Sequence, residues 1–142
     1  MRAVELIKRK PVMVNVGSSV LDAVKLMAEN NVGLVVIVDS QESRRVLGVL
    51  SERDVIRALA RGVDLSRARV EEVGTMGNIA KVSVYDYVNK VAQLMNERNI
   101  RHIVVVDDND RVVGVISMRD ILRESEAIQY IAKMSARPPT RE

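Results

Sequence analysis

The chain has 142 residues, 47% of them hydrophobic, enough to bury a core as one compact domain or as two small halves that share one. It has no cysteine and a single histidine, His102, which excludes disulfides and thiolate metal sites, argues against a histidine-built zinc site, and makes a reducing, cytoplasmic setting the expectation. The 22 basic and 19 acidic residues leave a formal net charge of only +3, dispersed along the chain, and with Tyr85, Tyr87 and Tyr130 as the sole aromatics, single-strand nucleic-acid binding by base stacking is disfavoured.

The first eight residues lack the continuous apolar segment of a signal peptide, and no apolar run is long enough to cross a bilayer, so a soluble chain is expected. Residues 1–10 read as a short helical turn ending in the basic cluster Lys8-Arg9-Lys10, and Pro11 forces the chain into an extended segment. Val12 to Val16 is a short strand. Gly17-Ser18-Ser19 is a turn that places a serine to cap a helix whose apolar face is Val20, Leu21, Val24, Met27 and Ala28. Asn30-Asn31 ends it. Gly33 to Val38 is a continuous apolar, β-branched run, as expected of a strand covered on both faces. A polar turn, Asp39 to Arg45, leads to the strand Val46–Leu50. From Ser51 a helix carries Val55, Ile56, Leu59 and Ala60 before Gly62 closes it.

The same order then returns. Residues 63–78 connect the halves, with one helical turn at Val70–Val73 and irregular backbone at Gly74 and Gly77. Ile79 to Val84 matches the first strand, Asp86 takes the capping place, and Val88, Val91, Ala92 and Met95 repeat the buried face. Ile100 to Asp107 answers Val32 to Asp39, and the turn after it is two residues shorter than in the first copy. The last helix runs from about Met118 through Ile121, Leu122, Ile128 and Ile131, and Arg137 to Glu142 reads as a frayed tail. Each half, 1–68 and 69–142, is β-α-β-β-α and too small to bury its sheet alone, so an α/β unit of two repeats sharing one core, with approximate two-fold symmetry, is expected.

The most telling repeat is Gly48-Val49-Leu50-Ser51-Glu52-Arg53-Asp54, which comes back as Gly114-Val115-Ile116-Ser117-Met118-Arg119-Asp120. In both places a strand hands over to a helix N-terminus. An ionised aspartate there suits the paired hydroxyls of a ribose, and a serine at the helix start donates to a phosphate oxygen while the helix dipole favours the anion. Ser-x-x-Asp is equally what a plain helix cap looks like, and the two roles do not exclude each other. Gly48 and Gly114 read as positions of close backbone approach. No metal-ligating cluster and no nucleophile, base and orienting group can be assembled from the pattern, so an enzyme is not expected.

The repeated Gly-x-x-Ser-x-Arg-Asp, the preceding Val-Val-Ile-Val-Asp and Val-Val-Val-Asp runs and the helix before them resemble the CBS domain, and two copies in tandem resemble a Bateman module. The resemblance implies a regulatory module that binds an adenosyl ligand, AMP as the first guess, otherwise ADP, ATP or S-adenosylmethionine, in clefts between the repeats, and passes its occupancy to an unidentified partner. It places Asp54 on the ribose and Ser51 by the phosphate of one cleft, with Val49 in the wall and Ile79, Ala80, Ile100, Arg101 and His102 from the other repeat. The second cleft has Asp120, Ser117 and Val115 with Pro11, Val12, Val32 and Gly33. Arg53, Arg119 and Lys10 stand behind these as phosphate contacts.

Arg101-His102 stands where the first repeat has Gly33-Leu34, so in the crossed arrangement that the resemblance implies the clefts are expected to be unequal: the Asp54 cleft gains cationic side chains and is favoured for the nucleotide, while the Asp120 cleft could draw instead on Lys8 or Lys10. The resemblance also implies a homodimer through helical faces. Two rival readings are a ligand-free oligomerisation module and, from the basic cluster and a pI near 9.4, nucleic-acid binding.

Overall fold

A computed structural model describes residues 1–135; the expected tail Arg137–Glu142 and the side chain of Ile128 lie outside the described residues. A 3-10 turn, Ala3–Leu6, precedes β1 (Met13–Asn15), α1 (Val20–Asn30), β2 (Leu34–Val38), β3 (Val46–Ser51) and α2 (Glu52–Ala60). The second half follows as α3 (Val70–Val73), β4 (Thr75–Met76), β5 (Lys81–Ser83), α4 (Val88–Arg98), β6 (His102–Val106), β7 (Val112–Ser117), α5 (Met118–Leu122) and α6 (Ser125–Ser135).

Two sheets form, in the order β1-β2-β3-β4 and β5-β6-β7 among the described residues. In each repeat the first strand lies parallel to the second, a pairing that requires a crossover, and α1 and α4 supply it. The second and third strands are antiparallel, and both pairs slip register at the same place, between Ile37 and Val38 and between Val105 and Val106. The repeat therefore extends to its irregularities.

The alternation of the central strands divides the core into layers. Val35 and Ile37 of β2 face a cluster with Val20, Ala23 and Met27 of α1. Leu34, Val36 and Val38 face the other way, against Val104 and Val106 of β6. Ile103 and Val105 in turn pack on Val91 and Met95 of α4. Both faces of β2 and β6 are thus covered, as their unbroken apolar runs require. The repeats are stitched by a reciprocal pair of hydrogen bonds, Val46 N–H to the Asp110 carbonyl at 3.0 Å and Val112 N–H to the Arg44 carbonyl at 2.9 Å.

The repeats also exchange their leading segments. Ala3 and Leu6 are fully buried in the second repeat's core, where Ala3 N–H donates to the Asp86 carbonyl at 2.8 Å and Arg2 donates to the Tyr85 carbonyl. In mirror fashion α3 and β4 belong to the first repeat: Val70 N–H donates to the Ser18 carbonyl at 2.9 Å, Arg69 donates to the Gly17 carbonyl, and β4 pairs with β3. Each 3-10 or helical turn opens with an arginine whose own amide is held by a glutamate three residues on, Glu5 or Glu72.

Five local expectations are corrected. α4 is capped at Tyr87 without a side-chain bond, because Asp86 is spent on the preceding turn, accepting from Ser83 N–H at 2.7 Å and from Lys90 at 3.3 Å. In α1 it is Ala23, not Ala28, that is buried, since the face turned to the sheet runs Val20-Ala23-Met27. In α2 the buried residues are Val55 and Ala58, while Ile56 and Leu59 are 64% and 55% exposed and Ala60 is exposed as well. The last helix is two, α5 and α6, broken at Arg123-Glu124 so that α6 turns back onto α4 and α5, and Leu122 is left 56% exposed. Finally, Thr75-Met76, read as irregular chain, is a short edge strand.

Candidate functional site

Both copies of the Ser-x-x-Asp element form complete capping boxes at a strand-to-helix junction. Asp54 Oδ2 accepts from the Ser51 amide at 3.0 Å and from the Ser51 hydroxyl at 3.0 Å, while Ser51 Oγ accepts from the Asp54 amide at 3.2 Å. At the second junction the same three contacts measure 2.8, 3.0 and 3.2 Å for Ser117 and Asp120. These bonds occupy Oδ2 and leave Oδ1 of each half-buried aspartate without a hydrogen bond among the described residues. The cap and a second, unbonded acceptor coexist in one side chain whose rotamer the capping bonds fix.

Around these junctions, Val49 and Val115 lie half-buried in the layer between the sheets, together with the buried Ile79. Ile79 reaches Val49's neighbourhood because the chain leaving β4 is held to β3, with Gly77 N–H donating to the Leu47 carbonyl at 3.0 Å. Ala80 and Ile100 pack at the rim of the second repeat's core, and Val12 and Val32 at the rim of the first. Pro11 is half-buried and lines a cavity shared with Lys10. Arg53 and Arg119 are exposed and their side chains make no hydrogen bond or ion pair among the described residues.

Hairpin register sets the backbone surroundings of Gly33 and Arg101. Antiparallel pairing sets Leu34 opposite Ser51 and His102 opposite Ser117, so Gly33 lies beside Glu52, whose amide donates to it at 3.0 Å, and Arg101 beside Met118, whose amide donates to it at 2.8 Å. By backbone, each belongs with the capping box of its own repeat. His102 is the residue that crosses: a Cβ built on Gly33 would lie 2.8 Å from Glu52 Oε1 and 3.6 Å from His102 Cε1. Glycine at 33 therefore leaves the room into which Glu52 of one repeat and His102 of the other both reach. Burial holds the His102 imidazole below its ordinary pKa, against the pull of the Glu52 and Asp120 carboxylates, and the Arg101 guanidinium adds to the lowering. His102 is thus the group on which Glu52 of one junction and Asp120 of the other both act.

Glu52 was not foreseen as a site residue. Its signal lay in the repeat itself, where Glu52 is answered by Met118 as Gly33 is by Arg101, so the two exchanges set an acid beside one junction and a base beside the other.

A duplicated α/β unit with paired capping boxes defines a tandem-repeat module with two pseudo-equivalent strand-to-helix junctions. The CBS domain model matches residues 3–61 and again 70–127, and the chain belongs to the CBS domain family as a tandem pair. A CBS domain protein of Pyrobaculum aerophilum complexed with AMP superposes with a TM-score of 0.86 at 34% identity, covering 94% of this chain and 99% of that one. The CBS domain pair of protein MJ0100, in complex with 5′-methylthioadenosine and S-adenosyl-L-methionine, gives a TM-score of 0.77 at 27% identity over 87% of this chain and 94% of that one. Among curated relatives, the mitochondrial CBS domain-containing protein CBSX3 of Arabidopsis thaliana is 34% identical over 107 residues, which are 74% of this chain and 52% of the relative. The chain thus spans about half the length of that relative.

Proposed function

We propose that the chain is a non-catalytic regulatory module that binds an adenine nucleotide, AMP first, between its CBS repeats and transmits occupancy to a partner protein. The observation that carries the reading is the pair of capping boxes, each of which holds a carboxylate in a fixed rotamer with one oxygen left over for a ribose diol. The AMP complex of the P. aerophilum relative supports the ligand class. A ligand touching both repeats stabilises one relative arrangement of the two sheets, and that differential affinity is the signal.

The two clefts are unequal in this reading. Arg101 lies by backbone beside the Ser117–Asp120 box, so the cation a phosphate needs next to a carboxylate stands at Asp120; Asp54 has Glu52 beside it instead. The Asp120 cleft, rather than the Asp54 cleft favoured by residue exchange alone, is the tighter site. Isothermal titration of AMP, ATP and S-adenosylmethionine into wild type, Asp54→Ala and Asp120→Ala tests this. Micromolar binding, weakened most by Asp120→Ala, is expected; no binding of any of the three, or two variants that bind like wild type, refutes it.

The exposed Ile56 and Leu59 of α2 and Leu122 of α5 favour a homodimer through these helical faces. They also favour the second reading, a ligand-free oligomerisation module, which an unchanged melting temperature with every nucleotide would support. Among the described residues no helix is long and apolar enough to cross a membrane, and a cytoplasmic setting is proposed.

A further inference from the structure

β3 and β7 are the same strand in the two repeats, yet their outer edges differ. Along β3 runs β4, with Gly48 opposite Met76 and Val49 opposite Thr75. β7 is the last strand of its sheet, and the chain standing in the place of β4, Lys8 to Pro11, makes no backbone hydrogen bond to it among the described residues. That segment stands off instead and flanks an open cavity of about 510 Å³ whose wall includes Lys8, Arg9, Lys10, Arg44 and Val113 of β7. No carboxylate lines this cavity. Lys8 and Arg9 donate only to backbone carbonyls, those of Glu5 at 3.2 Å and Asn30 at 3.3 Å, and Lys10 and Arg44 make no ion pair among the described residues.

We propose that the edge of β7 is a docking site for an acidic, extended segment of a partner protein, which adds as a fourth strand and sets its carboxylates against Lys8, Arg9, Lys10 and Arg44. Between Val112, whose amide is given to the Arg44 carbonyl, and Ser117, whose amide is given to Asp120, the edge presents N–H and C=O groups alternately, and an added strand satisfies both. A polyphosphate accepts only, and would leave the carbonyls of the edge without donors. Nucleic acid would find no aromatic side chain in the wall on which to stack a base. A second copy of this chain, pairing edge to edge, would bring two basic rims together. The chain's own C-terminal stretch, with Arg137 and Arg141 against Glu142, carries the wrong charge. The first repeat shows how short the added strand need be, since β4 is two residues long.

The docking site shares Lys10 and the neighbouring Pro11 with the cleft expected at Asp120 but needs no nucleotide, so it is tested on the full chain without one, and loss of peptide binding is read separately from loss of AMP binding. The probe is a dye-labelled, end-capped peptide alternating glutamate and valine, followed by fluorescence anisotropy. Expected are saturable binding that weakens steeply with salt, a loss of about tenfold in Lys8→Glu/Lys10→Glu, and slowed amide exchange at Val113 or Val115 on binding. Methylating alternate peptide amides should abolish binding in one register and spare it in the other, a readout on wild type that does not depend on how the charge variant folds. Absence of binding at low salt, equal binding by both methylated peptides, or unchanged exchange in β7 would each overturn the proposal. Tighter binding of inorganic polyphosphate or of a single-stranded oligonucleotide than of the peptide would overturn it in favour of those anions.

Discussion

Replacing Asp120 by asparagine separates the two duties that the structure gives this carboxylate. Asparagine keeps a side-chain carbonyl that can take the place of Oδ2, now 2.8 Å from the Ser117 amide and 3.0 Å from its hydroxyl, so the capping box survives. Its cost to folding is a few tenths of a kcal/mol, whereas alanine, which leaves both Ser117 donors without an acceptor at a half-buried junction, costs about 1 kcal/mol. In a chain of this size that difference is about 2 °C in melting temperature. Binding should order the variants differently. Asparagine removes the charge and turns one acceptor into a donor, so a hydrogen bond from a ribose hydroxyl to an ionised group is lost, about 1.5–3 kcal/mol or roughly 10- to 150-fold in affinity. Alanine should bind about as poorly. Differential scanning calorimetry and titration calorimetry with AMP on the three proteins give both orders. If Asp120→Asn binds AMP as wild type does while melting normally, the carboxylate is a helix cap alone and the ribose assignment fails.

Gly48→Ala should destabilise by about 2–3 kcal/mol, because its Cβ would lie 2.5 Å from the Thr75 backbone carbonyl. Gly114→Ala meets only Ile7 side-chain atoms, at 2.7 Å and beyond, which can turn aside, so it should cost less than half as much; equal losses in urea unfolding would show that the close approach of β4 is not what holds glycine at 48. The lowered pKa of His102 means that below its ordinary value of 6.5 the unfolded chain binds a proton the folded chain resists. Stability should therefore fall as pH drops from about 6.5 toward the folded pKa, and His102→Gln should flatten that stretch of the melting curve against pH; a variant that keeps the same slope there assigns it to other groups. Ile56→Glu with Leu59→Glu should convert a dimer to a monomer in light scattering without lowering the monomer's melting temperature, since both side chains are already more than half exposed; an unchanged mass places the interface elsewhere.

The repeats, their strand order and the two capping boxes were legible because each rests on local pattern: β-branched runs for β2 and β6, Ser-x-x-Asp for the junctions. What escaped depends on distance in sequence. Ile56 and Leu59 fit an apolar helix face, and periodicity does not distinguish a face that meets the sheet from one left for another surface. Thr75-Met76 is a strand only because β3 lies beside it. Asp86 has the right chemistry for a cap and the wrong position by one residue. The backbone surroundings of Gly33 and Arg101 follow from hairpin register, which motif spacing does not carry. Glu52 became visible only when His102 was seen to share the space over Gly33.

The exchanged leading segments bear on how such a module arises. Ala3 and Leu6 complete the second repeat and Val70 completes the first, so a polypeptide holding one repeat would carry an arm with no seat of its own and a seat with no arm. Two copies of that polypeptide would satisfy each other by trading arms, in the manner of a domain-swapped dimer. Joining the copies in one chain turns that encounter into an intramolecular one, whose partner is always present at high effective concentration. The same wiring times folding on the ribosome: the first repeat lacks Val70 and β4 until the connection has emerged, and Ala3–Leu6 must wait for the chain beyond Val88 before it can dock.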